Sequence, residues 1–410
     1  MSMQPGVFLS PITPSPRGPG LAMRADRIIR ALARNRPVHV RIVPMHDLRP
    51  AAPPLYEGPY ETCEHVWDTN RPWSRRRARQ ALSDERSRAL RAKLAATISG
   101  LTPSVILSFR HAMAPFAEPL IRDPARARWV LDLDELESST RSRIANLHAV
   151  RGELRLSARL GREVEEHRIR ETRDLRRPDQ IWVCSDPEAD RVRTAVDRSA
   201  IVVPNVVPLP DLRHLETELG SRSSPERSHR TRLLFVGGLA YLPNLDAVEW
   251  CGREVLPLLN ADGENEFELR VVGRAGARAR RRLGAIPRVD LVGRADDLAR
   301  EYANADLCVV PIRAGGGTRI KLLEALAHRR PVVSTGLGAE GLELEDGEHL
   351  LIADSAREFA AACGSLSRDA DTAARLGAMG VARVAERYAP RALELAIETA
   401  LDRLGAAGRP

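Results

Sequence analysis

The sequence predicts an α/β protein built on two doubly wound parallel sheets, and three observations carry that prediction. Short β-branched apolar runs alternate with longer helical patterns along most of the 410 residues. The apolar runs are continuous rather than alternating, which is the pattern of strands covered by helices on both faces. The length exceeds one ordinary core and fits two domains of roughly 150–200 residues each.

In the first half the runs place strands at Gly6–Ser10, Val38–Val43, Val105–Phe109, Trp129–Leu133, Ile181–Cys184 and Ile201–Val203. In the second half they fall at Arg232–Val236, Glu268–Val272, Val289–Val292, Leu307–Val310, Val332–Ser334 and Leu350–Ile352. Helical patterns fit between most of them, as at Leu21–Arg34, Asn244–Leu259, Asp297–Ala303 and Thr318–Ala327. The stretch 206–230 is rich in Pro, Ser and charge without apolar periodicity, so it reads as a linker. The expected division is an N-terminal domain over 1–205, the linker, and a C-terminal domain over 231–385. A helical segment, 386–410, is a candidate for packing back on the first domain. Open α/β sheets bind ligands beyond the carboxyl ends of their strands, so two such domains facing each other would set their loops across one cleft.

Composition narrows the class. Hydrophobic residues at 43% and charged residues at 29% describe a globular protein. No apolar run approaches the roughly 18–20 residues of a membrane span. The start, MSMQPGVFLS, lacks the basic and apolar regions of a secretory signal, so the expected location is the cytoplasm. Cys63, Cys184, Cys251, Cys308 and Cys363 form no C-x-x-C pair, and the histidines show no zinc spacing. Neither disulfides nor a metal site is expected.

The net charge of +8 suggests an anionic partner, but of 63 basic residues only Lys93 and Lys321 are lysines. That skew points to genomic composition, so the charge is weak evidence for nucleic acid, and none is expected as a partner. The stretch 71–93 carries nine basic and two acidic side chains. It fits a solvated helix face, or a basic surface for peripheral contact with anionic lipid at the inner face of a membrane or with an anionic acceptor. Arg151–Arg177 has a charged helical pattern with few apolar positions and belongs on the surface.

The chemistry concentrates in PIRAGGGTRIKLLEALAHRRPVVST, Pro311–Thr335. A strand ends in Gly315, Gly316 and Gly317, a helix is expected to begin at Thr318, and another strand follows. The glycines let backbone approach a ligand, and Thr318 is expected to cap a helix whose N–H groups favour phosphate. On a helix Gly317, Lys321 and Glu324 share one stripe, while Ile320, Leu323 and Ala327 share the buried one. A cation near the anion site and a carboxylate one turn on describe a nucleoside diphosphate site: amides and Lys321 on phosphate, Glu324 on ribose hydroxyls. Neither G-x-x-x-x-G-K-[ST] nor G-x-G-x-x-G after a strand is present, which argues against P-loop and dehydrogenase chemistry.

This segment resembles the donor-site signature of the group 1 (family 4) retaining glycosyltransferases, which have the GT-B fold of two Rossmann-like domains. The resemblance is closest to the exopolysaccharide and cell-envelope subgroup carrying the G-G-G-T-R-x-K variant. It extends through LLFVGGLAYLPNLDAVEW, LRVVGRA, VDLVGRADDLAREYANADLCVVP and GAEGLELEDGEHLLIAD. It implies that Glu324 is the second glutamate of the family's E-x7-E motif, which holds ribose. The first, which meets the donor sugar, is replaced by Gly316, so sugar recognition must rest more on the amides of Gly316, Gly317 and Thr318. Gly237 and Gly238 match the turn at the diphosphate. The Arg and Lys that many members place after it are Leu239, Ala240 and Tyr241 here, leaving Lys321, with Arg319 or Arg313, to supply charge. Arg294 lies where the family contacts the base.

In the N-terminal half VFLSPITPSPRGPGLAMRADRIIRALA resembles the family's first strand, loop and helix. It puts Gly18, Gly20 and Arg24 on the acceptor side, although Pro19 breaks the usual glycine pair. RWVLDLDELES places Asp132 and Asp134 at a strand end, in a structural or acceptor-positioning role. IVVPNVV resembles the strand that ends the domain. His111, after VILSFR, stands where many members face the transferred sugar, or is a solvated residue past a strand. The resemblance implies sugar transfer from a nucleotide diphosphate sugar to a hydroxyl of a glycan, lipid-linked or small-molecule acceptor. It implies retention of configuration and no cofactor or required metal. Two other readings remain: a catalytically inactive sugar-nucleotide-binding protein, suggested by the missing glutamate, and a GT-B sugar-nucleotide epimerase.

Overall fold

The computed structural model describes residues 4–16, 18–43, 58–66, 85–121, 127–211, 230–261 and 266–406. Residues 71–84 of the basic stretch and 212–229 of the expected linker lie outside the described residues. The chain forms two compact units. Two segments depart from contiguity: Ser139–Glu163 groups with the second unit and Leu393–Pro410 with the first.

The first unit holds a seven-stranded sheet: β1 (Gly6–Ser10), β2 (Val38–Ile42), β3 (Thr62–His65), β4 (Val105–Phe109), β5 (Arg128–Asp134), β6 (Gln180–Val183) and β7 (Ile201–Val202). Their order is β3-β2-β1-β4-β5-β6-β7, and every pairing is parallel. β1 and β4 are buried along their whole lengths, as continuous apolar runs covered on both faces require. Val7, Leu9, Ile106, Leu131 and Ile181 build the core from successive strands.

The second unit holds a six-stranded sheet: β8 (Arg230–Val236), β9 (Glu266–Val272), β10 (Val289–Gly293), β11 (Leu307–Val310), β12 (Val332–Ser334) and β13 (Leu351–Ile352). The order is β10-β9-β8-β11-β12-β13, again all parallel. Chain order reverses between β8 and β11, the kind of switch point where doubly wound sheets open a crevice at their carboxyl ends. Leu234, Phe235, Val271, Val309 and Val333 fill the interior, joined by Leu322, Leu323 and Leu326 of the helix Ile320–Ala327.

Helix boundaries follow local chemistry. Ser355 caps the helix Ala356–Arg368 through a reciprocal box with Glu358. The pattern expected over Asn244–Leu259 is one path in three pieces: an α-helix Leu242–Trp250, a π-helical turn Cys251–Val255 and a short turn Leu256–Leu259. The helix Leu154–Asp174 is mostly exposed or half-buried, as its charged pattern predicts, with Glu171 and Asp174 as buried exceptions. Among the described residues no helix is long and apolar enough to cross a membrane.

Candidate functional site

The candidate site gathers on the loops leaving the carboxyl ends of the second sheet. Gly237 and Gly238 follow β8, Gly273 follows β9, and Pro311–Arg319 follows β11. Gly273 has φ +155, and a Cβ there would lie 2.1 Å from the Gly237 carbonyl oxygen, so two glycine turns meet backbone to backbone. Only glycine permits that approach.

The run after β11 is held from its carbonyl side. Gly315 and Gly317 have φ of 111° and 66°, a conformation that favours glycine. Arg143 Nη1 donates to the Gly315 carbonyl at 3.1 Å while its guanidinium grips Glu340 at 2.6 and 2.7 Å. Arg319 Nη1 donates to the carbonyls of Gly316 and Gly317. In a trans peptide the next N–H points opposite the carbonyl. Anchoring these three carbonyls therefore fixes the amides of Gly316, Gly317 and Thr318, each opposite its own carbonyl.

The helix begins later than the sequence predicts. Its N-cap is Arg319, without a side-chain cap, and helical residues run Ile320–Ala327. Thr318 is not the cap; its hydroxyl accepts from Asn205 Nδ2 at 2.8 Å. Gly317 precedes the helix and so does not share the stripe of Lys321 and Glu324. Leu323 and Ala327 are buried as expected, whereas Ile320 is only half-buried.

Lys321 lies at the centre of the site. Its Nζ donates to Asn244 Oδ1 at 2.6 Å and sits 4.1 Å from the centre of the Phe235 ring. A Cβ on Gly237 would fall 2.7 Å from the same Nζ, so the ammonium lies against the turn after β8. Burial, followed by the nearby Arg319 charge, pulls the Lys321 amine down to about 7, with Glu324 opposing the fall. One turn on, Glu324 Oε2 accepts from the Tyr302 hydroxyl at 3.3 Å, and the Tyr302 ring stacks on His328 at 4.5 Å. A small cavity lined by Leu234, Val236, Tyr302, Cys308, Val310, Lys321 and Ala325 runs along the lysine stem.

The two other expected donor-side cations are Arg313 and Arg294. Arg313 pairs with Asp246 through two 3.0 Å bonds and lies 5.4 Å over Trp250. Asp246 also receives Arg151 at 2.6 Å, so Arg313 belongs to an ion network with Asp246 and Arg151. Arg294 is exposed just after β10, beyond Gly293 with φ +83.

In the first unit Gly18, with φ +115, sits just before the helix Gly20–Ala33, whose N-cap is Pro19. Arg24 on that helix is 1% exposed and Asp132 at the end of β5 is 0% exposed. Arg24 donates to Asp132 at 2.9 and 2.6 Å and to the Val203 carbonyl at 2.9 Å. Burial alone would lower the Arg24 guanidinium, but Asp132 and Asp134 hold it above its ordinary value. Arg24 and Asp132 are thus bonded to each other inside the fold, which fits the structural alternative for Asp132. His111 is buried, with Nε2 3.0 Å from Asp174 Oδ2, so it is not a solvated residue past a strand. Burial works to raise the Asp174 carboxyl, yet hydrogen bonds from His111 and Arg173 bring it to about 2.

No local sequence pattern marks Asn244, Tyr302, Arg143 or Glu340 as site residues. Asn244 and Tyr302 sit in segments the sequence does assign, but their roles depend on meeting a helix 77 and 19 residues away. Arg143 meets Gly315 across 172 positions, which no local spacing encodes.

Two parallel α/β units, each doubly wound, with glycine turns at the strand ends, define the class: a two-domain, Rossmann-like GT-B fold. Comparison with known proteins adds the family signal. Residues 230–369 match the family model described as glycosyl transferases group 1. An uncharacterized 44.6 kDa protein in the cps region of Klebsiella pneumoniae is 30% identical over 142 residues. That match spans 32% of this chain and 36% of the relative, about a third of its length. Sucrose-phosphate synthase from Thermosynechococcus elongatus superposes with a TM-score of 0.75 at 19% identity, covering 99% of this chain and 100% of that one. HepE from Anabaena, in complex with UDP, gives 0.65 at 18%, with 98% and 100% covered. The α,α-trehalose 6-phosphate synthase of Burkholderia multivorans gives 0.66 at 14%, with 99% and 100% covered. At these identities the structural likenesses concern the fold.

Proposed function

We propose that this protein is a nucleotide-sugar-dependent glycosyltransferase. It moves a sugar, with retention of configuration, to an acceptor hydroxyl in polysaccharide, glycolipid or other glycoconjugate biosynthesis. The observation that carries the reading is the Lys321 ammonium set against the Gly237 turn, just after a glycine run, Gly315–Gly317, whose carbonyls Arg143 and Arg319 hold. A diphosphate is the ligand such donors suit: amides bind its oxygens along fixed directions, and a half-buried lysine adds a charge whose strength water does not dilute. Glu324, one turn further, receives ribose hydroxyls.

Catalysis then consists of stabilising the leaving diphosphate as the glycosidic bond to phosphate breaks, with charge growing where the donors already point. Gly316 leaves backbone where a glutamate would otherwise meet the sugar, so sugar choice rests on the peptide groups of the turn. The match of residues 230–369 to glycosyl transferases group 1 supports the activity. The relative from a cps region supports a glycan pathway. HepE structures holding UDP and UDP-glucose make a uridine donor the first to test.

The test is a thermal-shift panel of UDP, GDP, ADP and dTDP, followed by donor turnover on saccharide, lipid-linked and small-molecule acceptors. A nucleotide at 100 times its Kd stabilises by about 2.7 kcal/mol, an easily read rise in melting temperature. One nucleotide should stand out, and its sugar should appear on an acceptor. No rise with any nucleotide overturns the donor site. Binding without transfer across the panel turns the reading to an inactive sugar-nucleotide-binding protein, and donor conversion without acceptor turns it to an epimerase.

A further inference from the structure

Lys321 stands in a setting unusual for a cation. Its neighbours are the Phe235 ring face, the Gly237 backbone and the side-chain oxygen of Asn244. The charged groups acting on it are Arg319, which disfavours its charge, and Glu324, which favours it. Neither fixes where the ammonium points. Asn244 does: its Oδ1 accepts from Nζ at 2.6 Å, while its Nδ2 donates to the Gly238 carbonyl at 2.9 Å. One amide therefore links the cation of the helix Ile320–Ala327 to the turn after β8. The Leu239 amide at the far end of that peptide donates to the Arg274 carbonyl at 2.8 Å, so the peptide is held at both ends.

Asn244 is itself fixed. It stands in the first turn of the helix Leu242–Trp250, with its backbone N–H on the Tyr241 carbonyl at 3.1 Å. The space is closed on the other side: a Cβ on Gly237 would sit 2.9 Å from Nδ2 and 3.0 Å from Cγ of Asn244. Lysine has a long rotatable stem, so a held ammonium keeps its donors aimed only while such a partner is present.

We propose that Asn244 is a positioning residue that locks the Lys321 ammonium to the Gly237–Gly238 turn, so that cation and turn meet one phosphate as a preset unit. This rests on the donor-site reading above and adds to it the residue that makes the lysine directional. The motif PN in LLFVGGLAYLPNLDAVEW thus replaces, in geometry, the cations missing after the turn: it recruits Lys321 from another helix instead of supplying a charge locally.

The two lysines of the chain make the test direct. With lysine labelled at Cε, NMR shows two side-chain signals, and Lys321→Met identifies which belongs to Lys321. In Asn244→Ala the Lys321 midpoint should move down by at least about half a pH unit, because an acceptor favouring the charged form is gone. UDP affinity, or GDP affinity if the panel favours it, should fall roughly tenfold, the scale of one hydrogen bond to a charged group. In a Lys321→Met background the same substitution should cost little more, since coupled residues do not add. An unmoved Lys321 titration, or losses that add in the double variant, overturns the proposal. Asn244→Ser serves if the alanine variant melts early. Failure of the unaltered protein to bind any nucleotide overturns the donor reading, and is seen before a variant is made; the titration still decides whether Asn244 holds Lys321.

Discussion

Arg143 meets Glu340 through two short parallel bonds, 2.6 and 2.7 Å, and the same guanidinium reaches the Gly315 carbonyl at 3.1 Å. The carboxylate fixes the fork and the fork fixes the turn, since a bidentate arginine has little freedom left. Arg143→Met removes the tie to Gly315, and UDP affinity should fall roughly tenfold with little change in melting temperature. Glu340→Gln keeps a weaker partner for Arg143 and should cost less. Calorimetric titration of both variants checks the order, and equal affinity in Arg143→Met and the unaltered protein removes Arg143 from the account.

Lys321 makes nucleotide binding depend on pH. Burial, then Arg319, brings its amine to about 7, against an ordinary value of 10.5. Between those values the unfolded chain binds the proton and the folded protein does not, so fold stability should rise with pH across that window. Binding runs the other way. A diphosphate prefers the charged lysine, while its own terminal phosphate, with a second pKa of about 6, is already ionised. Affinity should therefore fall by up to about tenfold per pH unit above 7. Calorimetry at pH 8 in two buffers of different ionisation heat should show proton uptake on UDP binding. Lys321→Met should abolish it; uptake that persists there assigns the proton elsewhere.

Much of the fold is written locally, and the parts that are not have physical reasons. All twelve expected strands recur within a residue or two of their observed ends; β1, β4, β11 and β12, buried along their whole lengths, are marked by near-continuous apolar runs, while β9 alternates apolar with charged residues. β3 escapes notice: Thr62–His65 is a short edge strand of polar residues, none of them buried, so no pattern marks it. In the site, Lys321 and Glu324 are legible because one helix sets their spacing. Thr318 misleads, since hydroxyl residues favour N-caps in general, but here Asn205 and the Arg319 contacts shift the start. Arg24 follows a glycine loop and Asp132 ends a strand in sequence, yet they are partners 108 positions apart, and only the folded sheet brings them together.

That pair should behave as structure. Arg24 and Asp132 are buried and joined by two hydrogen bonds. Removing one partner strands the other charge away from water, which costs about 3–5 kcal/mol. Asp132→Asn should therefore lower the urea midpoint clearly, whereas Arg24→Met with Asp132→Leu should recover a good part of the loss. If Asp132→Asn unfolds like the unaltered protein yet loses acceptor turnover, the carboxylate serves the acceptor after all.

Glu324 offers a test of the ribose assignment that separates contact from scaffolding. One of its oxygens accepts from Tyr302, whose ring is braced by His328, so the carboxylate is held from behind. A hydroxyl bonded to a charged acceptor contributes about 1.5–3 kcal/mol, so Glu324→Gln should weaken UDP by roughly ten- to a hundredfold. The decisive comparison uses 2′,3′-dideoxy-UDP. The unaltered protein should bind it more weakly than UDP by a similar factor, because the carboxylate is left without its partners. The Gln variant should discriminate the two ligands far less. A variant that weakens both ligands equally, keeping the full preference for ribose hydroxyls, would show that Glu324 only braces Tyr302 and that the ribose is held elsewhere.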